Sequence, residues 1–211
     1  MTGPDRVDLP LRDETSPAVV CSRELLLTGR IWNVRRDVVE LPGGAVVTRD
    51  VVTHPGAVAV LAMDDEQRVL LIRQYRHPIG ALNWELPAGL RDVAGEDPVV
   101  TAQRELLEET DLRADTWSHL VTLHPSPGSL DEAIEVYLAQ DIREVPAAER
   151  HERTDEEAGI VAQWAPITTV VDAIVRGDLH NGPLVAAILV QHARLSRGAP
   201  EDRPAARHHP T

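Results

Sequence analysis

Phenylalanine is absent from this 211-residue sequence, cysteine occurs once, and there is no run of about 18 apolar residues. The single cysteine, Cys21, excludes an internal disulfide and fits a reducing compartment, so a cytoplasmic location is expected. Without a long apolar run, no membrane span is expected. The opening stretch MTGPDRVDLPLRDETSP also lacks the apolar core of a signal peptide. Positive charge is scarce as well: 21 basic against 34 acidic side chains leave a net charge of −13. Nucleic-acid binders usually carry a basic face, so no nucleic-acid partner is expected. An acidic chain that handles anionic substrates needs local arginines or metal ions. Aromatic rings are few, four Trp and two Tyr, so each one carries weight.

What is present suits one medium domain with a small appendage: apolar residues make up 43% of the chain, enough for a core. Residues 1–16, rich in Pro, Asp and Arg, are expected to be disordered. So is the tail 198–211, where His208 and His209 are read as solvated rather than metal-bound. Residues 17–55 hold three segments with alternation and β-branched residues, VVCSRELLLTG, RIWNVRRDVVEL and AVVTRDVVTH. They predict a small antiparallel sheet. In 56–197, GAVAVLAMD and RVLLIRQYR flank Asp64-Asp65-Glu66-Gln67 and predict a hairpin buried on both faces. HLVTLHP and EAIEVYLAQ predict another strand pair. TTVVDAIVRG and GPLVAAILVQHARLSR have helical periodicity. Strands, one central helix, more strands and terminal helices together indicate an α+β, α/β/α layered domain.

The segment LPAGLRDVAGEDPVVTAQRELLEETDL holds seven acidic residues. Asp97-Pro98 is a helix start, with Asp as cap and Pro at the first helical position. In the helix that follows, Val99, Val100, Ala102, Leu106 and Leu107 form a broad apolar stripe. Glu105, Glu108 and Glu109 share an arc of roughly 100° on another side. Arg104, one turn before Glu108, can steady that carboxylate. Three carboxylates pointing one way repel unless a cation lies between them, and hard divalent ions such as Mg²⁺ take such oxygen clusters. A solvated charged face is the other reading.

Gly89, Glu96, the run Arg104-Glu105-Leu106-Leu107-Glu108-Glu109 and Leu112 resemble the Nudix box. Two departures stand out. Six residues rather than five separate Gly89 from Glu96, and the box's late glycine is Asp111. Asp111 is expected to end the helix at positive φ, which Asp tolerates better than most residues. The segments RQYRHPIGALNWELPAGL and SPGSLDE, with an acidic loop before AQWAPI, extend the resemblance over about residues 22–196. They make it similar to the ADP-ribose pyrophosphatase branch of Nudix hydrolases, in particular its actinobacterial members.

That resemblance implies a Nudix α/β/α sandwich over 56–197, with the sheet in 17–55 reaching a second subunit to form a homodimer. It implies Mg²⁺, with Mn²⁺ as a substitute, held by Glu105 and Glu109, by Glu108 as a third ligand, by the Ala88 carbonyl and by Glu157. Glu157, in TDEEAGI, would close over the site and position or deprotonate the attacking water; Glu156 is its rival. Glu108 and Arg104 complete the catalytic set, and Arg76 and Glu85 fall in the substrate-binding segment. Trp32 matches the aromatic that stacks on adenine, with a core or interface tryptophan as the alternative. The implied reaction is hydrolysis of the ADP-ribose pyrophosphate to AMP and ribose 5-phosphate. Another nucleoside diphosphate sugar or a dinucleotide is the alternative substrate, and a non-hydrolysing nucleotide-sugar sensor the alternative class. Ser126 and Ser129 lack a Gly-x-Ser-x-Gly elbow, and no Walker loop is present.

Overall fold

The computed structural model describes residues 10–151 and 159–198. The chain divides into two compact units, the first ending at Val52 and the second beginning at Thr53. The first contains strands β1 (Val19–Thr28) and β2 (Asn33–Glu40) and most of β3 (Val46–Thr53), adjacent in that order. β1 and β2 run antiparallel, with register shifts at Cys21 and Leu26. Arg23 grips Asp37 through two hydrogen bonds of 2.9 and 3.1 Å, and Arg35 adds a third at 3.1 Å, so this almost buried carboxylate is paired. Every residue of β1 is exposed, including Leu25 at 62% and Val19 at 65%.

The second unit holds two sheets. One has the order β7-β4-β9-β8, from β4 (Ala57–Ala62), β7 (Ala88–Leu90), β8 (Leu112–Leu123) and β9 (Ile134–Glu144). The other has the order β10-β5-β6, from β5 (Arg68–Arg76), β6 (Ala81–Glu85) and β10 (Val161–Pro166). The expected hairpin is therefore corrected. The chain does turn between the two apolar runs, with Gln67 N–H donating to the Asp64 carbonyl and Asp64 N–H to Arg68. Beyond a bridge between Met63 and Val69, however, the strands part into different sheets. Each is apolar on both faces and finds its neighbours elsewhere: β4 pairs parallel with β9, and β5 runs antiparallel to both β10 and β6.

Helix α1 (Pro98–Thr110) covers one face of the β4–β9 sheet; α2 (Ile167–Arg176) and α3 (Gly182–Arg197) pack on the opposite side. Alternation along β4 divides the core. Val58, Val60 and Ala62 meet Ala102 and Leu106 of α1, while Ala59 and Leu61 join Leu184, Ala187 and Ile188 of α3. Leu106, Leu184 and Ile188 are fully buried, each contributing roughly 1.5–3 kcal/mol of apolar transfer. This is the expected α/β/α sandwich, and the two terminal helices lie where periodicity placed them.

Candidate active site

Local chemistry sets both ends of α1. Asp97 caps it, its carboxylate accepting from Val99 N–H at 3.1 Å, and Pro98 occupies the first turn. Asp111 ends it in the left-handed region, φ 57°, with its N–H donating to the Leu107 carbonyl at 2.9 Å. The expectation for that position holds. The apolar stripe needs correcting at Val100, which is 46% exposed, and Leu107 is only half-buried. The buried arc is Thr101, Ala102, Leu106 and Glu109, so α1 turns part of its carboxylate face inward. Two polar groups can be buried there because each has a partner. Glu109 accepts from Ala88 N–H at 2.9 Å, and Thr101 donates to Glu96 at 2.7 Å.

Strand β7 is the platform for these carboxylates. It pairs antiparallel with β4, Val58 opposite Gly89 and Ala59 opposite Ala88. The Glu105 carboxyl group lies directly over Gly89, in the space a Cβ would occupy. Arg104 Nη1 donates to Glu105 at 2.7 Å and to Glu108 at 3.2 Å; its Nη2 lies 3.6 Å from Glu96 and 3.9 Å from Asp92. One guanidinium thus spreads across four carboxylates. Burial pushes the Glu105 carboxyl above the ordinary glutamate range; Arg104 pulls it back, and Glu108 adds to the rise. Among the described residues, no three His, Cys, Asp or Glu side chains stand close enough to form a ready ligand set, and Glu105 and Glu108 lean on Arg104. The donors nevertheless fit a hard divalent cation in kind: carboxylate oxygens on one helical arc beside a Gly-containing strand.

Glu85 and Arg76 meet across β5 and β6. Glu85, 4% exposed, accepts from Arg76 Nε at 2.9 Å and Nη2 at 2.7 Å, and from Asn83 at 3.3 Å. Gln74 completes the group at 3.5 Å. Both were expected to bind substrate; in the structure they form a bidentate pair with each other, in which Glu85 fixes the plane of the guanidinium. Gln74 and Asn83, bonded to Glu85, and Thr101, bonded to Glu96, are neighbours of the candidate residues that sequence reasoning missed. The signal for Asn83 was its place two residues before Glu85 on the same strand face. Trp32 is 44% exposed in the first unit, where its carbonyl accepts from Gly29 N–H at 2.9 Å. Glu156 and Glu157 lie outside the described residues.

A family model for the NUDIX domain matches residues 53–188. An ADP-ribose pyrophosphatase of Mycobacterium tuberculosis is 48% identical over 183 residues, covering 87% of this chain and 86% of the relative. An ADP-ribose pyrophosphatase of Bacillus subtilis is 38% identical over 167 residues, 79% of this chain and 88% of that one. A solved structure described as an ADP compounds hydrolase superposes with a TM-score of 0.73 at 20% identity, covering 89% of this chain and 98% of its own; that likeness is one of fold.

Proposed function

The chain belongs to the Nudix family, and on that premise we propose that it is a pyrophosphatase that hydrolyses ADP-ribose to AMP and ribose 5-phosphate. The observation that carries the chemistry is the carboxylate face of α1 laid on β7, with Glu109 on the Ala88 amide and Glu105 over Gly89. The substrate follows from the two ADP-ribose pyrophosphatases, each matched over most of its length.

Nudix hydrolases generally need divalent metal ions, and we assign Mg²⁺, with Mn²⁺ as a substitute, to Glu105, Glu108, Glu109, the Ala88 carbonyl and Glu157. Such an ion supplies positive charge to the bridging phosphates and acidity to water. Arg104 holds Glu105 and Glu108 against their mutual repulsion. Arg76, oriented by Glu85, binds the substrate's phosphates. A carboxylate, Glu157 or one of the box glutamates, takes or orients the proton of the attacking water. The water oxygen bonds to one phosphorus, the bridging P–O bond breaks, and a monophosphate leaves without a covalent intermediate. Glu157→Gln should depress kcat more than it raises KM, since positioning water acts in the chemical step. If steady-state kinetics show that pattern for Glu156→Gln instead, the closing glutamate is Glu156.

Substrate choice is tested with a panel of nucleoside diphosphate sugars in Mg²⁺, scored by monophosphate release. ADP-ribose should give the highest kcat/KM, with weaker turnover of related ADP-sugars. Stacking on Trp32 tolerates any base, so preference rather than exclusivity is expected. Equal or better kcat/KM for GDP-mannose or UDP-glucose would overturn the substrate and leave the chemistry standing.

We further assign a homodimer built through residues 17–55, in the cytoplasm. Support comes from β1 and its surroundings, where Val19, Leu25, Leu27 and Val46 on the small three-stranded sheet, with Ile31 and Trp32 in the turn between β1 and β2, are all exposed and offer an apolar surface for a partner to cover. Light scattering at micromolar concentration should give twice the 23.2 kDa chain mass. An active monomer would refute the assignment.

A further inference from the structure

One face of the β5–β6 pair carries more polar groups than the contact between Arg76 and Glu85 needs. In the register, Gln74 stands opposite Asn83, Arg76 opposite Ala81 and Glu85 opposite Ile72. Side chains alternate along a strand, so Gln74, Arg76, Asn83 and Glu85 share this face. Arg76 and Glu85 lie two residues to either side of the Gln74–Asn83 pair, and Arg76 reaches back past that pair to Glu85. The donors divide evenly between the two carboxylate oxygens. Glu85 Oε1 accepts from Arg76 Nε at 2.9 Å and from Asn83 Nδ2 at 3.3 Å; Oε2 accepts from Arg76 Nη2 at 2.7 Å and from Gln74 Nε2 at 3.5 Å. A carboxylate has about four lone-pair sites, so the two amides take the half that the guanidinium leaves. Burial divides unevenly. The Glu85 side chain is 5% exposed and that of Arg76 41%. Gln74 is buried and Asn83 half-buried. An ion pair in open solvent holds no fixed geometry and contributes little. This one has its carboxylate end withdrawn from water and held by four hydrogen bonds, while the guanidinium end reaches solvent.

We propose that Gln74 and Asn83 are positioning residues for substrate binding: they fix the Glu85 carboxylate, the carboxylate fixes the Arg76 guanidinium, and Arg76 meets the substrate's phosphates already in place. This rests on the reading above that Arg76 binds phosphate. The two amides act through Glu85 and Arg76, without a substrate contact of their own. A long side chain loses rotamer freedom when a ligand immobilises it, and that loss opposes binding. A guanidinium ordered before the substrate arrives has already lost that freedom. The gain is the same for bound substrate and transition state, so it raises affinity and leaves kcat alone.

The test measures the Kd of a methylene-bridged, non-hydrolysable ADP-ribose analogue by calorimetry on the full chain with Mg²⁺, and kcat for ADP-ribose alongside. Asn83→Ala should weaken the analogue by about three- to tenfold, the range for ordering one long side chain, with kcat near native. Gln74→Ala should do the same. In an Arg76→Ala background neither change should weaken binding further, because both act through that guanidinium. Gln74 lies on the central strand of its sheet and Asn83 on an edge strand, so Asn83→Ala decides alone if Gln74→Ala folds poorly, which a thermal melt reads. Native affinity in folded Asn83→Ala, or a further loss on top of Arg76→Ala, would overturn the positioning role and leave that of Arg76 standing. Native affinity in Arg76→Ala would remove the phosphate contact, and the proposal with it. Should the ADP-ribose analogue fail to bind the native chain, the ADP-ribose reading falls, and the same comparisons with the analogue of the panel's fastest substrate decide the positioning.

Discussion

Glu109→Gln should lower kcat by at least about a hundredfold in a protein that stays folded, because one preorganised stabiliser of transition-state charge is commonly worth roughly 10²–10³. The side chain is 6% exposed, and its Oε2 accepts from Ala88 N–H. A glutamine keeps the shape and an acceptor oxygen, so that hydrogen bond can persist. A neutral bond of this kind contributes on the order of 1 kcal/mol, against about 2.7 kcal/mol for a hundredfold in rate. Charge, rather than packing, is therefore what the substitution removes. Steady-state kinetics alongside a thermal melt separate the two. Near-native turnover in a well-folded Glu109→Gln protein would take the carboxylate arc of α1 out of the mechanism.

The parts of this site that were legible in the sequence are those set by neighbours along the chain. Asp97-Pro98 starts α1 and Asp111 stops it through bonds to residues within the helix itself. The direction shared by Glu105, Glu108 and Glu109 follows from helical spacing alone. What was illegible depends on partners distant in sequence. Val100 and Leu107 looked like core because apolar spacing marks a broad stripe without saying which edge meets a sheet. The edge that does so includes Thr101, which Glu96 meets from just ahead of the helix, and Glu109, whose burial is tolerated only once the distant Ala88 is brought to it. In the same way, two apolar runs around a tight turn predict a hairpin locally. The preference of β4 for parallel pairing with β9 is a long-range fact. Arg76 and Glu85 were each picked out, yet their pairing needed the β5–β6 register, in which Ile72 stands opposite Glu85.

Gly89→Ala should be nearly as damaging to turnover as loss of a carboxylate, and almost harmless to the fold. Gly89 does not sit at positive φ, so alanine meets no backbone strain there. Its methyl group would instead enter the space held by the Glu105 carboxyl. That carboxyl is the far end of a flexible side chain, so it gives way at little energetic cost while β7 keeps its pairing with β4. Displaced, Glu105 loses its place above Gly89 and its 2.7 Å contact with Arg104. A misplacement of about 1 Å at a reacting centre can cost about a hundredfold in rate, and a loss of that order in kcat is expected. Gly95→Ala is the matching control. Gly95 has φ 80° with open space around it, so alanine there carries backbone strain and touches nothing. It should lower the melting temperature and leave kcat near native, the reverse of Gly89→Ala. If Gly89→Ala instead turns over like the native chain, the Glu105 carboxyl does not rest on β7 during catalysis, and the seat assigned to it is wrong.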